Sequence, residues 1–436
     1  MAILPASKEN GFFPRASHTI QGVNTMIATA EMIEGHRRIA PPHGAPVWDV
    51  DPYDEAILCS PQDYYSELRR LGEVVYIPKY SVLAVGRYQV THTVFSDYEH
   101  FVSSRGVGLD DFKLSRPWRQ PSIILEADPP DHTKTRKVMA RALSPKSVKM
   151  LEALFVQVAE TLVDEVIARG TIDAIPELAE RFPVTVFPRA VGMKDVDTRY
   201  LVDYGAMVFN AGGPDNAIRR RAMQSAGVIV PWITAACARN RLEAQGLGAM
   251  IYRAADAGEI TVEEAAMLVR SFLSAGVDTT VTGIGNALWC FSQFPDQWEK
   301  LKADPGLLRP AFEEVLRLTS PVHTFARTAN CDTTIAGVPV EADSKILCVL
   351  GAANLDPDKW PDPERFDIER RPVGHMAFGA GIHGCVGQNL ARGELQALLG
   401  MMLKKVDRIE PAGQAVWRPN NGIHALNALP LRIIPK

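Results

Sequence analysis

A chain of 436 residues with a formal charge of −4, 46% apolar and 22% charged residues has ordinary globular composition, and its length allows one large domain or two to three smaller ones. The near-neutral, mixed charge argues against nucleic acid as a partner, and basic clusters such as Arg219-Arg220-Arg221 read as a solvated helix face. No apolar run approaches the roughly 20 residues of a bilayer span, and the N-terminus lacks a charged start followed by an apolar stretch, so the expected setting is the cytoplasm, without membrane attachment.

In chain order, residues 1–40 carry weak periodicity and read as an arm laid over the remainder or partly mobile. Residues 41–436 are expected to form a single domain, since no Ser/Gly linker, repeat or low-complexity segment divides them. Pro61 to Gly72 reads as a short helix. Val74 to Gly86 reads as a strand pair turning at Lys79-Tyr80-Ser81. A loop-rich stretch runs from Ser103 to Pro121. Asp128-Pro129-Pro130-Asp131 signals a helix start for His132 to Leu143. Ser144-Pro145 caps a helix expected to continue to Ala168, with Gly170 ending it. Helical patterns cover Asp197–Asn210, Asp215–Ala244 and Thr261–Phe294. The last would be one helix about 50 Å long, with Glu263 and Glu264 in its first turn, as the dipole favours. Leu307–Leu318 is a further helix, Phe325–Leu350 holds short β-type runs, and Val386–Lys405 is a final long helix. The expected fold is mainly α with a small β region.

Six cysteines are spread along the chain with no C-x-x-C pair, which disfavours structural zinc or a redox dithiol. Most read as buried reduced thiols. Cys385 differs. It sits in Phe378-Gly379-Ala380-Gly381-Ile382-His383-Gly384-Cys385-Val386-Gly387, where glycines permit unusual φ and a helix begins just afterwards. Backbone N–H groups at a helix start can bond a sulfur anion, so this loop can keep a thiolate as a metal ligand. A buried cysteine in a glycine-rich turn, or a nucleophilic cysteine served by His383, would produce similar local text.

The stretch resembles the haem-binding loop of the cytochrome P450 family, and three further signatures of that family follow its order. Glu314-Val315-Leu316-Arg317 matches its E-x-x-R helix, Pro363-Glu364-Arg365-Phe366 its second-arginine segment, and Ala275-Gly276-Val277-Asp278-Thr279-Thr280 its oxygen-activation motif. The resemblance runs from about residue 45 to the end. It implies the cytochrome P450 fold, haem b held by Cys385 as iron ligand, and propionate contacts from His132, Arg136, Arg327 and His383. It also implies that Thr279, with Asp278, supplies protons to dioxygen. Glu314 and Arg317, three apart on one helix face, can pair, and Arg365 is expected to complete a buried three-member network. Seen alone, E-x-x-R would be an exposed pair.

A narrower resemblance is to bacterial monooxygenases that oxidise para-substituted benzoic acids, of the 4-methoxybenzoate monooxygenase type. It is carried by Gly106-Val107-Gly108-Leu109, Lys113 to Pro121, Val208-Phe209-Asn210, Arg270-Ser271-Phe272-Leu273-Ser274-Ala275-Gly276 and Pro419-Asn420-Asn421. It implies carboxylate contacts from Arg119, Ser122 and Ser271, with Arg270 adding charge. It implies ring contacts from Leu125, Val208, Phe209, Ser274, Ala275, Val322 and Phe325. Helix geometry agrees, since Ser271, Ala275 and Thr279 at i, i+4 and i+8 share a face, with about 6 Å between the first two. Where the branch carries a second phenylalanine, this chain has Gly212.

The expected activity is insertion of one oxygen atom from O2 into a small aromatic acid, by hydroxylation or O-demethylation at the para position. Bulkier acids such as cinnamates are an alternative, and a non-catalytic haem sensor is another. With no flavin or iron–sulfur module in the chain, electrons are expected from a [2Fe–2S] ferredoxin and an NAD(P)H-dependent ferredoxin reductase.

Overall fold

Helices outweigh strands among the described residues, and two of them build the centre. The computed structural model describes residues 32–436, so most of the expected N-terminal arm lies outside the described residues. The Val262–Ala275 helix starts at a capping box. Thr261 Oγ1 accepts from the Glu264 N–H at 3.1 Å while the Thr261 N–H donates to the Glu264 carboxylate at 2.7 Å, which satisfies two helix-end donors at once. The Gln388–Lys405 helix starts just after the Cys385 loop. Apolar faces of these helices, of Glu152–Arg169, Arg181–Val191, Asp278–Gln293 and Leu308–Thr319, close one large core.

The expected 34-residue helix is two helices, Val262–Ala275 and Asp278–Gln293, divided at Gly276-Val277. Two hydroxyls explain the division. Thr279 Oγ1 donates to the Ala275 carbonyl at 2.6 Å and Thr280 Oγ1 to the Gly276 carbonyl at 2.9 Å, so side chains occupy acceptors the backbone ladder would use. Gly276 is required there by packing: a Cβ on it would stand 2.3 Å from the Phe187 ring.

Other expected helices are also shorter. The segment after Ser144 divides into Pro145–Lys149 and Glu152–Arg169, ending as expected at Gly170 with φ +72°. Asp215–Ala244 becomes Ala217–Met223, Ala226–Ala236 and a 3-10 turn at Arg239–Arg241. The Arg181–Val191 helix gave no sequence signal because Pro183 and Pro188 punctuate it. Burial of Phe182, Val186 and Phe187 holds it regardless.

The strand pair Val75–Ile77 and Val82–Val85 forms where expected, in antiparallel register Val75 to Ala84. It edges a five-stranded sheet that continues through Lys345–Val349, Thr324–Ala329 and Phe101–Val102. Lys345–Val349 runs parallel to Val82–Val85 and antiparallel to Thr324–Ala329, with Ile346 opposite Arg327. A three-stranded sheet joins Val406–Pro411, Pro430–Pro435 and Thr171–Asp173, and a hairpin pairs Val416–Arg418 with Ala425–Ala428. No described helix is long and apolar enough to cross a membrane.

Candidate active site

The Cys385 loop is shaped by two glycines in left-handed backbone, Gly379 at φ +70° and Gly381 at φ +65°. A Cβ at Gly381 would meet the Phe95 carbonyl and Ser96 Cα at 2.9 Å. The loop is tied by the Cys385 N–H donating to the Phe378 carbonyl at 2.7 Å. Burial pushes the Cys385 thiol up, while the N–H of Gly387, the Arg136 and Arg392 guanidiniums and the N–H of Gln388 pull it back. These are the groups that would stabilise a sulfur anion at a helix start.

All four expected propionate-binding residues gather around this loop. The His132 and His383 rings lie 4.4 Å apart. Arg136 donates to the Gly384 carbonyl. Arg327, fully buried, stacks over Phe95 at 4.2 Å and donates to the Ala326 carbonyl at 2.9 Å. Burial, with His383 and Arg136 adding to it, pushes His132 down to about 4. His132 Nε2 and both ring nitrogens of His383 are buried without a hydrogen-bond partner. Unanswered buried nitrogens beside two guanidiniums are what an anionic cofactor edge would satisfy, so the residues present fit haem and its propionates.

The E-x-x-R network forms, with one member corrected. Arg317 makes a bidentate pair with Glu314, at 2.7 Å through Nε and 2.8 Å through Nη2, with both side chains fully buried. Arg365 does not join: its side chain is 62% exposed and its nearest carboxylate is Asp367 at 3.9 Å. The third member is Arg370, whose Nε donates to Glu314 at 3.0 Å. The chain turns between Pro363 and Arg370. This presents the Pro363 and Arg365 carbonyls to Arg317 while directing the Arg365 side chain to solvent.

At the helix division, Ala275 is exposed and Thr279 is half-buried. The Thr279 proton is committed to Ala275, which leaves its oxygen lone pairs free to accept. Asp278 is buried. Its Oδ1 accepts from Arg418 Nη2 at 3.0 Å, and its Oδ2 has no partner. Glu180, pushed up by burial and by Asp278 against the opposing pull of Arg418, lines a cavity with Asp278, Thr282 and Arg418. On the far side, Thr280 Oγ1 lies 3.4 Å from the buried Glu394, whose carboxyl burial raises to about 8. Arg418, Glu180 and Glu394 escaped the sequence reading. Each comes from a distant segment, with no spacing to tie it to Asp278-Thr279.

Of the residues expected at the carboxylate end, Arg119 and Arg270 meet at the Gln120 carbonyl, and both cations already have protein partners. Arg119 Nη1 donates to the Gln120 carbonyl at 3.1 Å, and its Nη2 lies 3.5 Å from Glu126. Its guanidinium sits 5.3 Å from the Trp118 ring centre, and its Nε has no partner. Arg270 Nη2 donates to the same Gln120 carbonyl at 2.8 Å and to that of Pro121 at 3.2 Å. Ser122 Oγ accepts from the Leu125 N–H at 3.2 Å. The Ser271 and Ser274 hydroxyls turn back to the carbonyls of Met267 and Arg270, each at 3.0 Å, and Ser274 Oγ lies 3.4 Å from Tyr204 Oη. Among the ring-contact residues, Phe209 clusters with Ile423 and Ala425, and Val322 and Phe325 pack on that cluster. Val208 packs instead on the main core, as the next residue along a helix must, and Leu125 is half-buried.

A cysteine flanked by backbone N–H donors at a helix start, beside buried histidines and arginines, is the setting of a haem-thiolate site. The chain belongs to the cytochrome P450 family. Residues 242–433 match the Cytochrome P450 family model, and cytochrome P450 CYP199A2 of Rhodopseudomonas palustris is 46% identical over 393 residues, 90% of this chain and 95% of that protein. Cytochrome P450 CYP109Q5 from Chondromyces apiculatus superposes with a TM-score of 0.76 at 30% identity, over 89% of this chain and 99% of that one. P450BioI, solved with an acyl carrier protein ligated to hexadec-9Z-enoic acid, superposes with a TM-score of 0.79 at 27% identity, over 87% and 100%. The protein is thus a haem b-dependent oxidoreductase that uses O2 and a redox partner.

Proposed function

We propose that this protein is a monooxygenase of small aromatic carboxylic acids that hydroxylates or O-demethylates the para substituent of a benzoate, within a single haem domain spanning residues 41–436. The observation that carries this reading is the buried Arg119, with an unpartnered Nε, beside Arg270 and near the start of the path along the helix to Ala275. A net positive charge buried away from solvent invites an anion. A carboxylate held between Arg119, Ser122 and Ser271 would set the para carbon about 6 Å further along the helix, at Ala275. Phe209, Val322 and Phe325 would flank the ring, with Leu125, Val208 and Ser274 completing the pocket.

Cys385 is the proposed iron ligand, and His132, Arg136, Arg327 and His383 the propionate partners. Haem on a thiolate supplies the activation of O2 that splits the O–O bond. The chain's own residues do the rest. The Thr279 oxygen, its proton given to Ala275, accepts and orients a proton donor. Asp278, anchored through one oxygen by Arg418, keeps the other free to relay protons from the Glu180 cavity. The balance is R–H + O2 + two electrons + two protons → R–OH + water. On a para-methoxy group the hydroxylated methyl leaves as formaldehyde. The electrons would come from a [2Fe–2S] ferredoxin and its NAD(P)H-dependent ferredoxin reductase, in the cytoplasm. Bulkier acids of the cinnamate type are a second reading, favoured by the missing ring at Gly212.

Binding of para-methoxybenzoate and its methyl ester, read by the haem spin-state shift, tests the assignment. The acid should bind more tightly, and Arg119→Ala should weaken the acid about tenfold to a hundredfold, as loss of a charge-assisted contact predicts. The ester should lose far less. Equal losses for acid and ester would point to packing and refute the charge argument.

A further inference from the structure

The carboxylate end holds an acid of its own, where a pocket built only to receive an anion would have none. Glu126 faces Arg119 at 3.5 Å, and their side chains are 10% and 5% exposed. Two guanidiniums and one carboxylate therefore share the buried cluster, for a net charge of about +1, and a bound benzoate would bring it to neutrality. Glu126 is fixed in place. Its Oε2 accepts from the Ser122 N–H at 2.6 Å, and the Glu126 N–H returns to the Ser122 carbonyl at 2.9 Å. The turn that presents the Ser122 hydroxyl thus also presents a negative charge to the arginine that must bind substrate. Both arginines donate to the Gln120 carbonyl, and Arg270 also to that of Pro121, but only Arg119 has a carboxylate partner and an Nε left without one, so Arg119 is the cation that a second carboxylate would share.

We propose that Glu126 is an internal counter-ion that competes with the substrate carboxylate for Arg119 and thereby sets the affinity and selectivity of the pocket for aromatic acids. The proposal rests on the aromatic-acid reading above. Without substrate, Glu126 keeps the buried guanidinium from standing as an uncompensated charge. With substrate, Arg119 divides its donors between two carboxylates, and Nε, which has no protein partner, is the donor Glu126 does not claim. Repulsion between the two anions holds binding below what two arginines alone would give. A neutral ester meets no such repulsion. Glu126 is in this sense a specificity-determining residue that works through Arg119.

The test compares Kd for para-methoxybenzoate and for its methyl ester, by spin-state shift and calorimetry, in the haem-loaded wild type, Glu126→Gln and Glu126→Asp. The Gln amide oxygen still accepts from Ser122, so only the charge is removed. The acid should then bind about fivefold to tenfold more tightly, with the ester changed by less than about twofold. Asp keeps the charge but loses the reach to the Ser122 N–H, and its acid-to-ester ratio should stay near that of wild type. An acid affinity that is unchanged or weaker in Glu126→Gln overturns the proposal. So does an equal shift in Glu126→Asp, which would assign the effect to the Ser122 turn. Should Glu126→Gln melt too low to load haem, Glu126→Met is compared with Glu126→Asp, since both lose the Ser122 contact and only Met loses the charge: tighter acid binding in Met alone supports the proposal, and equal shifts in both overturn it. If wild type prefers the ester, the aromatic-acid reading itself fails. If wild type prefers the acid and removing the charge does not move that preference, Glu126 alone fails.

Discussion

The cysteine loop and the carboxylate end treat their polar groups in opposite ways. Around Cys385 the buried histidine nitrogens make no hydrogen bond, the Asp128 carboxylate standing 3.8 Å from His383 Nε2, and Arg136 and Arg327 each bond one backbone carbonyl. At the carboxylate end, Arg270 and Ser271 have protein acceptors, and Arg119 has a carbonyl and an ion-pair partner with only its Nε left open. Buried polar groups left open cost stability unless a permanent occupant satisfies them. The first arrangement suits a cofactor that stays. The second suits a ligand that must come and go, since protein partners receive the cations each time it leaves. Occupancy can be read from how completely a site satisfies itself.

The largest expected effect strikes the open side. Cys385→Ala should abolish both turnover and the red-shifted Soret band of the reduced, CO-bound protein, because no other loop residue offers a thiolate. A CO spectrum identical to wild type in that variant would remove Cys385 from the iron. Next in size is the ion pair beneath the loop. Arg317→Ala leaves Glu314 buried with half its partners and should cost about 3–5 kcal/mol, read as a lowered melting temperature or failure to retain haem. Arg365→Ala removes a largely exposed side chain and should shift stability by under about 0.5 kcal/mol. Similar losses from both would restore Arg365 to the network and contradict the assignment of Arg370.

That pair of arginines also measures what the sequence could disclose. The Phe378–Gly387 loop was legible because its chemistry is contiguous: the glycines, the histidine, the cysteine and the helix start lie within ten residues. Glu314 and Arg317 were legible because helix geometry fixes their relation. Arg370 was not, because its approach depends on a turn whose shape no local periodicity encodes. The division at Gly276-Val277 was half-visible: adjacent threonines can bend a helix by bonding its carbonyls, yet apolar periodicity runs through them and predicts one helix. Arg418 and Glu126 meet their partners across 140 and 7 residues respectively. The first separation has no periodic meaning, and the seven-residue one would match two helical turns, but residues 119–126 form turns and coil instead of a helix. Residue types that bind a cofactor are chosen by chemistry and recur in order. The groups that tune them are chosen by tertiary proximity.

A moderate effect is expected at the kink. Thr279→Ala frees the Ala275 carbonyl and removes the oxygen that receives a proton donor, without touching the carboxylate end. Substrate Kd and NAD(P)H consumption with redox partners should remain close to wild type. Product per NAD(P)H should fall several-fold and peroxide should rise in proportion, because the group that positions the proton donor is lost while substrate binding and electron delivery remain. Unchanged coupling would mean that protons reach oxygen without Thr279, and attention would shift to Thr280 and Glu394.

The smallest effect concerns Gly212, whose carbonyl accepts from the Leu109 N–H at 2.9 Å. Gly212 is not in left-handed backbone, so positive φ does not demand glycine. A Cβ there would meet only Gly108 Cα at 3.6 Å and the Phe209 carbonyl at 3.8 Å, ordinary contact distances. The neighbouring positions are different: a Cβ on Gly108 would strike the Gly212 backbone at 2.4 Å, and one on Gly213 would strike Asn421 at 2.5 Å. Gly212 is therefore the one of the three that admits a side chain, and its Cβ lies beside Phe209. Gly212→Phe should fold with a melting temperature near that of wild type. It should bind para-methoxybenzoate as wild type does, and it should weaken longer para-alkoxybenzoates and cinnamate-like acids about threefold to tenfold by filling space they need. The measurement is Kd across a para-substituent series in both proteins, with melting curves alongside. Parallel size profiles would mean that the added ring points away from the substrate, and that the breadth of this pocket is set by Phe209, Val322 and Phe325 alone.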